Sequence, residues 1–148
     1  MPNVLTIDPS GTGTTGIYFV SENLEEFYQC QSSDWKKHYL FIKWLVEEKK
    51  ANLVVFENTN FIKTTSSDMT KLLQLFGAIE TLTYSFSLLV NKIPVNQVKE
   101  IRNKLLNKQI GLANLDYQIG KGWFYSNNKI STHQLDAYLV YYLNNKRK

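Results

Sequence analysis

The stretch LTIDPSGTGTTGIYFV, residues 5–20, decides how the chain is read. Gly11, Gly13 and Gly16 spell G-x-G-x-x-G directly after a short apolar run, the spacing of a dinucleotide-binding loop. Such a loop works only where a helix begins, because the free N–H groups and dipole of a helix N-terminus meet the pyrophosphate. Here Ile17, Tyr18, Phe19 and Val20 follow, and four β-branched or aromatic residues in a row specify a strand. Nor does residue 17 supply the lysine that a Walker-type loop places before Ser or Thr. The glycines are therefore expected to let a hairpin turn close, with Thr12, Thr14 and Thr15 filling it. The residue left to explain is Asp8, at the end of the first strand.

A length of 148 residues suits one domain, residues 1–148, whose core needs no cross-links. Cys30 is the sole cysteine, which excludes intrachain disulfides and cysteine-based zinc sites, and nothing near the N-terminus reads as a signal peptide. A reducing cytoplasm is the expected setting. The most apolar stretch, Leu82 to Val90, is broken by Thr83, Ser85 and Ser87 and is too short for a bilayer, so no membrane partner is expected. The net charge of +4 fits a polyanionic partner without requiring one.

Patterning gives the order β-β-β-α-β-α-β-α-α. Residues 3–8, 16–21 and 25–30 read as three antiparallel strands. From Asp34, as N-cap, Trp35, Tyr39, Ile42 and Val46 recur at helical spacing. The run Leu53 to Phe56 is continuously apolar, as in a central strand covered on both faces, and ends in Glu57. After a polar loop, Asp68 is a candidate cap for a long helix that buries Leu72, Leu75, Phe76, Ile79, Leu82 and Phe86. A short strand, KIPV, precedes a helix capped by Asn96, with Val98, Ile101 and Leu105 inward and Lys99, Arg102 and Lys104 largely outward. Residues 107–128 carry little signal; Gly111, Gly120 and Gly122 suggest loops around a short helix. Ser131 or Thr132 caps a last helix running to about Asn144. The expectation is an α/β fold, a hairpin-edged mixed sheet with helices on its faces.

Asp8 and Glu57 each end a strand, and in α/β sheets sites form at the carboxyl ends of parallel strands. If the two strands are neighbours, the carboxylates converge. His133 and Asp136, three residues apart on the last helix, share a face. Such a group offers hard ligands for magnesium or manganese and suits two-metal hydrolysis of a phosphodiester. Plainer readings stand beside it: Asp8-Pro9 as a strand-ending turn, Glu57 paired with a lysine, His133 and Asp136 as polar groups near a helix start. Asp136 among Leu135, Ala137, Leu139 and Val140 favours the site, since a buried carboxylate needs a partner.

LTIDPSGTGTTGI, LVVFENTNF, IPVNQVKEIRNKL and STHQLDAYLVYYL resemble the successive motifs of the RuvC family of Holliday-junction resolvases, over nearly the whole chain. The resemblance implies a ribonuclease H-like fold, here a mixed five-stranded sheet with helices on both faces. It implies metal ligation by Asp8, Glu57 and Asp136, with His133, at a position the family fills with Asp or His, ligating the metal or orienting the nucleophilic water, and these four as the catalytic residues. It implies two Mg2+ ions per site, with Mn2+ as substitute, and a homodimer of bacterial or phage type that cuts two strands of a four-way DNA junction symmetrically. Phe61 corresponds to the family's junction-wedging aromatic, one residue late. Lys99, Lys104 and Lys108 correspond to phosphate-contacting lysines, although a solvated helix face also explains them. Ser10, between Pro9 and Gly11, departs from the family's Asp-Pro-Gly. Lys121 with Trp123, Phe124 and Tyr125 offers a DNA-facing stacking surface, but packing in the core or a dimer contact is preferred for these aromatics. Two other readings compete: a branched-DNA-binding homodimer without catalysis, and an actin-like nucleotide-binding domain, for which the chain is short.

Overall fold

The computed structural model describes residues 2–59 and 66–147. The first three strands, β1 (Val4–Asp8), β2 (Thr14–Val20) and β3 (Glu25–Gln31), form an antiparallel meander, as the sequence predicts. After α1 (Trp35–Lys49), β4 (Leu53–Asn58) pairs parallel with β1, and β5 (Leu89–Pro94) pairs parallel with β4. The result is a mixed five-stranded sheet in the order β3-β2-β1-β4-β5, the ribonuclease H-like arrangement.

Alternation within β1 shows why both faces are covered. Leu5 and Ile7 point toward α1 and α2 (Ser67–Glu80), packing with Ile42, Leu45, Phe56, Leu75 and Ile79. Val4 and Thr6 point the other way, toward α5 (Thr132–Lys146). There Val55, Leu135, Leu139 and Val140 join Val98, Ile101 and Leu105 of α4 (Val95–Leu106) in a second core. The apolar run in β4 is continuous because its two sides feed two different cores.

The glycines of the opening stretch have a different purpose from the one the sequence suggests. None of Gly11, Gly13 and Gly16 adopts a positive φ. A Cβ on Gly16 would lie 2.1 Å from the His133 carbonyl oxygen, and one on Gly11 would lie 2.8 Å from the backbone of Lys71 and Leu72. Gly16 is glycine because the start of α5 rests directly on β2, and Gly11 because α2 rests on the loop. That loop is held by Ser10, whose N–H donates to Thr15 Oγ1 at 2.9 Å and whose Oγ accepts from Gly13 N–H at 2.8 Å. Thr15 Oγ1 also lies 2.8 Å from Nδ1 of the buried His38, whose Nε2 is 2.7 Å from the Ser32 carbonyl.

Four local expectations are corrected. Ser66, not Asp68, caps α2: its hydroxyl accepts from Met69 N–H, and Asp68 falls in the first turn, where a negative charge suits the dipole. The long helix breaks at Thr81, and a one-turn α3 (Leu82–Ser85) follows. The helix α4 starts at Val95, directly after Pro94, so Asn96 is helical and caps nothing. Residues 107–128 hold no short helix but the start of a second, antiparallel sheet: β6 (Leu115–Gln118), β7 (Gly122–Tyr125) and β8 (Asn128–Ile130). By contrast Ser131 caps α5 as expected, in a reciprocal capping box with Gln134. Among the described residues no helix is long and apolar enough to cross a membrane.

Candidate metal centre

Parallel pairing of β1 with β4 places Ile7 opposite Phe56, so Asp8 and Glu57 emerge side by side at the carboxyl ends of adjacent strands. Asp136 descends on them from α5. Two contacts fix that helix: Thr6 Oγ1 donates to the Ala137 carbonyl at 2.7 Å, and Gly16, opposite Asp8 in the β1–β2 ladder, admits the His133 backbone. One carboxylate oxygen each from Asp8, Glu57 and Asp136 lies within 4.8 Å of the others. His133, half exposed on the first turn of α5, sets its Nδ1 3.3 Å from Asp8 Oδ2.

Three carboxylates this close and this sheltered resist ionising together. Burial, then repulsion from Asp8 and Asp136, pushes the Glu57 carboxyl up to about 8. Burial and the Asp8 charge lift Asp136 to about 6, with Arg102 opposing them. Asp8 is also raised by burial, against the pull of His133, and the hydrogen bond to Asp8 raises His133 in turn. Buried Glu57 Oε2 and Asp136 Oδ1 have no hydrogen-bond partner among the described residues. Unsatisfied buried carboxylate oxygens are costly, and here they sit in a cluster of hard donors. The donor set fits a divalent cation: magnesium takes oxygens at about 2.1 Å, so one ion spans about 4.2 Å between opposite ligands, within a small adjustment of the cluster's width.

A cation that the sequence reading turned outward belongs to the centre. Arg102 Nη1 lies 2.5 Å from Asp136 Oδ2, and both side chains are largely withdrawn from solvent. Its spacing carried a signal, since Arg102 follows Val98 by four and precedes Leu105 by three, at the border of the buried stripe of α4. Lys99, one turn earlier and exposed, is near enough for its charge to act on Glu57.

The remaining candidates lie further out. Lys104 is half-buried and pairs with Glu100 of its own helix at 3.3 Å, a solvated-face contact of small energetic value. Lys108 is exposed just past α4, and Lys121 is exposed in the β6–β7 turn. Phe61 lies outside the described residues. Of the neighbouring aromatics, Trp123 and Tyr125 are buried, as core packing requires, and the Tyr125 hydroxyl donates to Glu25 Oε1 at 2.9 Å. They form no exposed stacking surface.

No family model and no curated protein matches the sequence. Solved structures do match the fold. Thermus thermophilus RuvC in complex with a Holliday junction substrate aligns with a TM-score of 0.63 at 15% identity, covering 95% of this chain and 90% of that one. The Thermus thermophilus RuvC structure aligns with a TM-score of 0.59 at 13% identity, covering 93% and 90%. YeaZ from Pseudomonas aeruginosa aligns with a TM-score of 0.51 at 12% identity over 73% of this chain and 50% of that chain.

Proposed function

We propose that the chain is a divalent-metal-dependent endonuclease that resolves four-way DNA junctions by paired, symmetric phosphodiester cleavage, acting as a homodimer. The observation that carries this reading is the convergence of Asp8, Glu57 and Asp136, with two buried oxygens left unpartnered among the described residues. The fold is shared with a resolvase solved on a Holliday junction, which supports branched DNA as the substrate class. Paired cuts need two active sites, hence two copies of the chain.

Asp8, Glu57 and Asp136 would hold Mg2+, or Mn2+ in its place. When bound, the metal supplies Lewis-acid activation of the phosphodiester and of the attacking water. The chain's own groups do the rest. Burial of the carboxylates keeps competing water out and strengthens every charge interaction in the centre. His133 holds Asp8 through Nδ1, which leaves Nε2 to orient the attacking water and receive its proton. The exposed Lys99 offers a positive charge to the phosphate backbone beside the acids, and Lys104, Lys108 and Lys121 extend that contact outward.

The test is incubation with synthetic four-way junctions, flaps and linear duplex, in Mg2+ and in Mn2+. Symmetric nicks confined to junctions are expected. Equal cutting of linear duplex would remove the junction assignment, and binding without cutting would favour a non-catalytic junction binder.

A further inference from the structure

Arg102 is the guanidinium that touches the acidic centre, and its position restricts what else can occupy it. The pair with Asp136 is largely enclosed, with 23% and 11% of the two side chains exposed. A pair at that depth is held firmly, because losing either partner leaves an uncompensated buried charge. It commits Asp136 Oδ2 and leaves Oδ1 buried without a partner among the described residues. Across the centre, Asp8 commits its Oδ2 to His133. Each aspartate therefore has one oxygen already given to a protein nitrogen.

A two-ion centre sets its ions about 3.5–4 Å apart and would need oxygen ligands for each ion. One oxygen from each of the three acids lies within 4.8 Å of the other two, a span that suits a single octahedral ion. Charge agrees with that span. The three ionised carboxylates carry three negative charges, which one divalent ion and the Arg102 guanidinium already offset before His133, held on Asp8, is counted.

We infer that Arg102 is a built-in second cation: the centre takes one divalent ion between Asp8, Glu57 and Asp136 Oδ1, and the guanidinium on Asp136 Oδ2 stands where a second ion would be held. This revises the two-ion expectation. Toward Asp136, Arg102 is a positioning residue, fixing which oxygen faces the metal. Its fork has N–H donors beyond the one spent on Asp136, a geometry matched to a non-bridging phosphate oxygen.

The inference rests on the metal-dependent reading above, and Mn2+ binding separates the two. The full chain, stripped of metal, is titrated with Mn2+ by calorimetry and by the electron paramagnetic resonance signal of free Mn2+, as wild type, Arg102→Lys and Arg102→Gln. One ion per chain is expected for wild type and Arg102→Lys, and two for Arg102→Gln, whose freed Asp136 Oδ2 joins the ligand set. The thermal midpoint should also gain more from Mn2+ in Arg102→Gln than in wild type. Two ions per wild-type chain, or one per chain in Arg102→Gln, overturns the role of Arg102 and leaves the metal-dependent reading standing. A folded wild-type chain that takes up no Mn2+ overturns that reading itself. Should Arg102→Gln fail to fold by circular dichroism, the wild-type stoichiometry decides alone.

Discussion

Glu57 shows how position sets the chemistry of one residue. At the end of β4 it is surrounded by protein and faces two other acids, so its carboxyl holds a proton to about pH 8. A divalent ion must displace that proton, which makes metal affinity depend on pH. Mn2+ binding should tighten as pH rises from about 6 and level off above about 8, and Glu57→Gln should flatten the profile. Calorimetric titration across that range checks it; an affinity independent of pH would contradict the proposed ligand role. Asp136 was legible as a buried acid because its sequence neighbours are apolar. Arg102 was not, because a single helical stripe does not reveal which border residue faces a site contributed by another helix.

At the scale of elements, the centre depends on how α5 meets the sheet. Gly16 admits the helix start, and its substitution by alanine would drive a Cβ into the His133 carbonyl. Gly16→Ala should cost roughly 2–4 kcal/mol of stability, in the range of severe overpacking, and should displace both His133 and Asp136. A denaturant titration and loss of Mn2+ binding are the readouts. The Ser131 cap is a milder lever: Ser131→Ala should cost about 1 kcal/mol by chemical denaturation, with metal binding retained.

Periodicity exposed the meander, the central strand and α1, α4 and α5, since each buries a face along its own length. Features set by the encounter of two elements stayed hidden. The G-x-G-x-x-G spacing reads as a turn until α2 and α5 are seen resting on Gly11 and Gly16. The sheet β6-β7-β8 stayed hidden because its strands are three or four residues long and its second turn, at Ser126 and Asn127, takes positive φ without a glycine to announce it.

For the molecule as a whole, the acidic centre is a stability cost accepted for function. Glu57, Asp8 and Asp136 all have native affinities for protons above those of unfolded carboxyls. Between about pH 4.5 and about 8 the native state thus holds protons that the unfolded chain releases. Stability of the metal-free protein from these groups is therefore greatest at the acid end of that window and falls as pH rises. His133, raised by Asp8, adds in the same direction. Thermal midpoints measured without metal should decline from about pH 5 to about pH 8, and Mg2+ at the upper end should restore them by binding the native state alone. A midpoint that rises over this range and ignores Mg2+ would show that the carboxylates are compensated in some other way.

The central claim is that these three acids hold a metal that cleaves branched DNA. It is tested most directly by comparing wild type with Asp8→Asn on a synthetic four-way junction, with binding followed by gel shift and cleavage by product strands in Mg2+. The account predicts junction binding by both proteins and paired symmetric nicks by the wild type alone. Cleavage retained in Asp8→Asn, or junctions bound but left intact by the wild type in both Mg2+ and Mn2+, would contradict it.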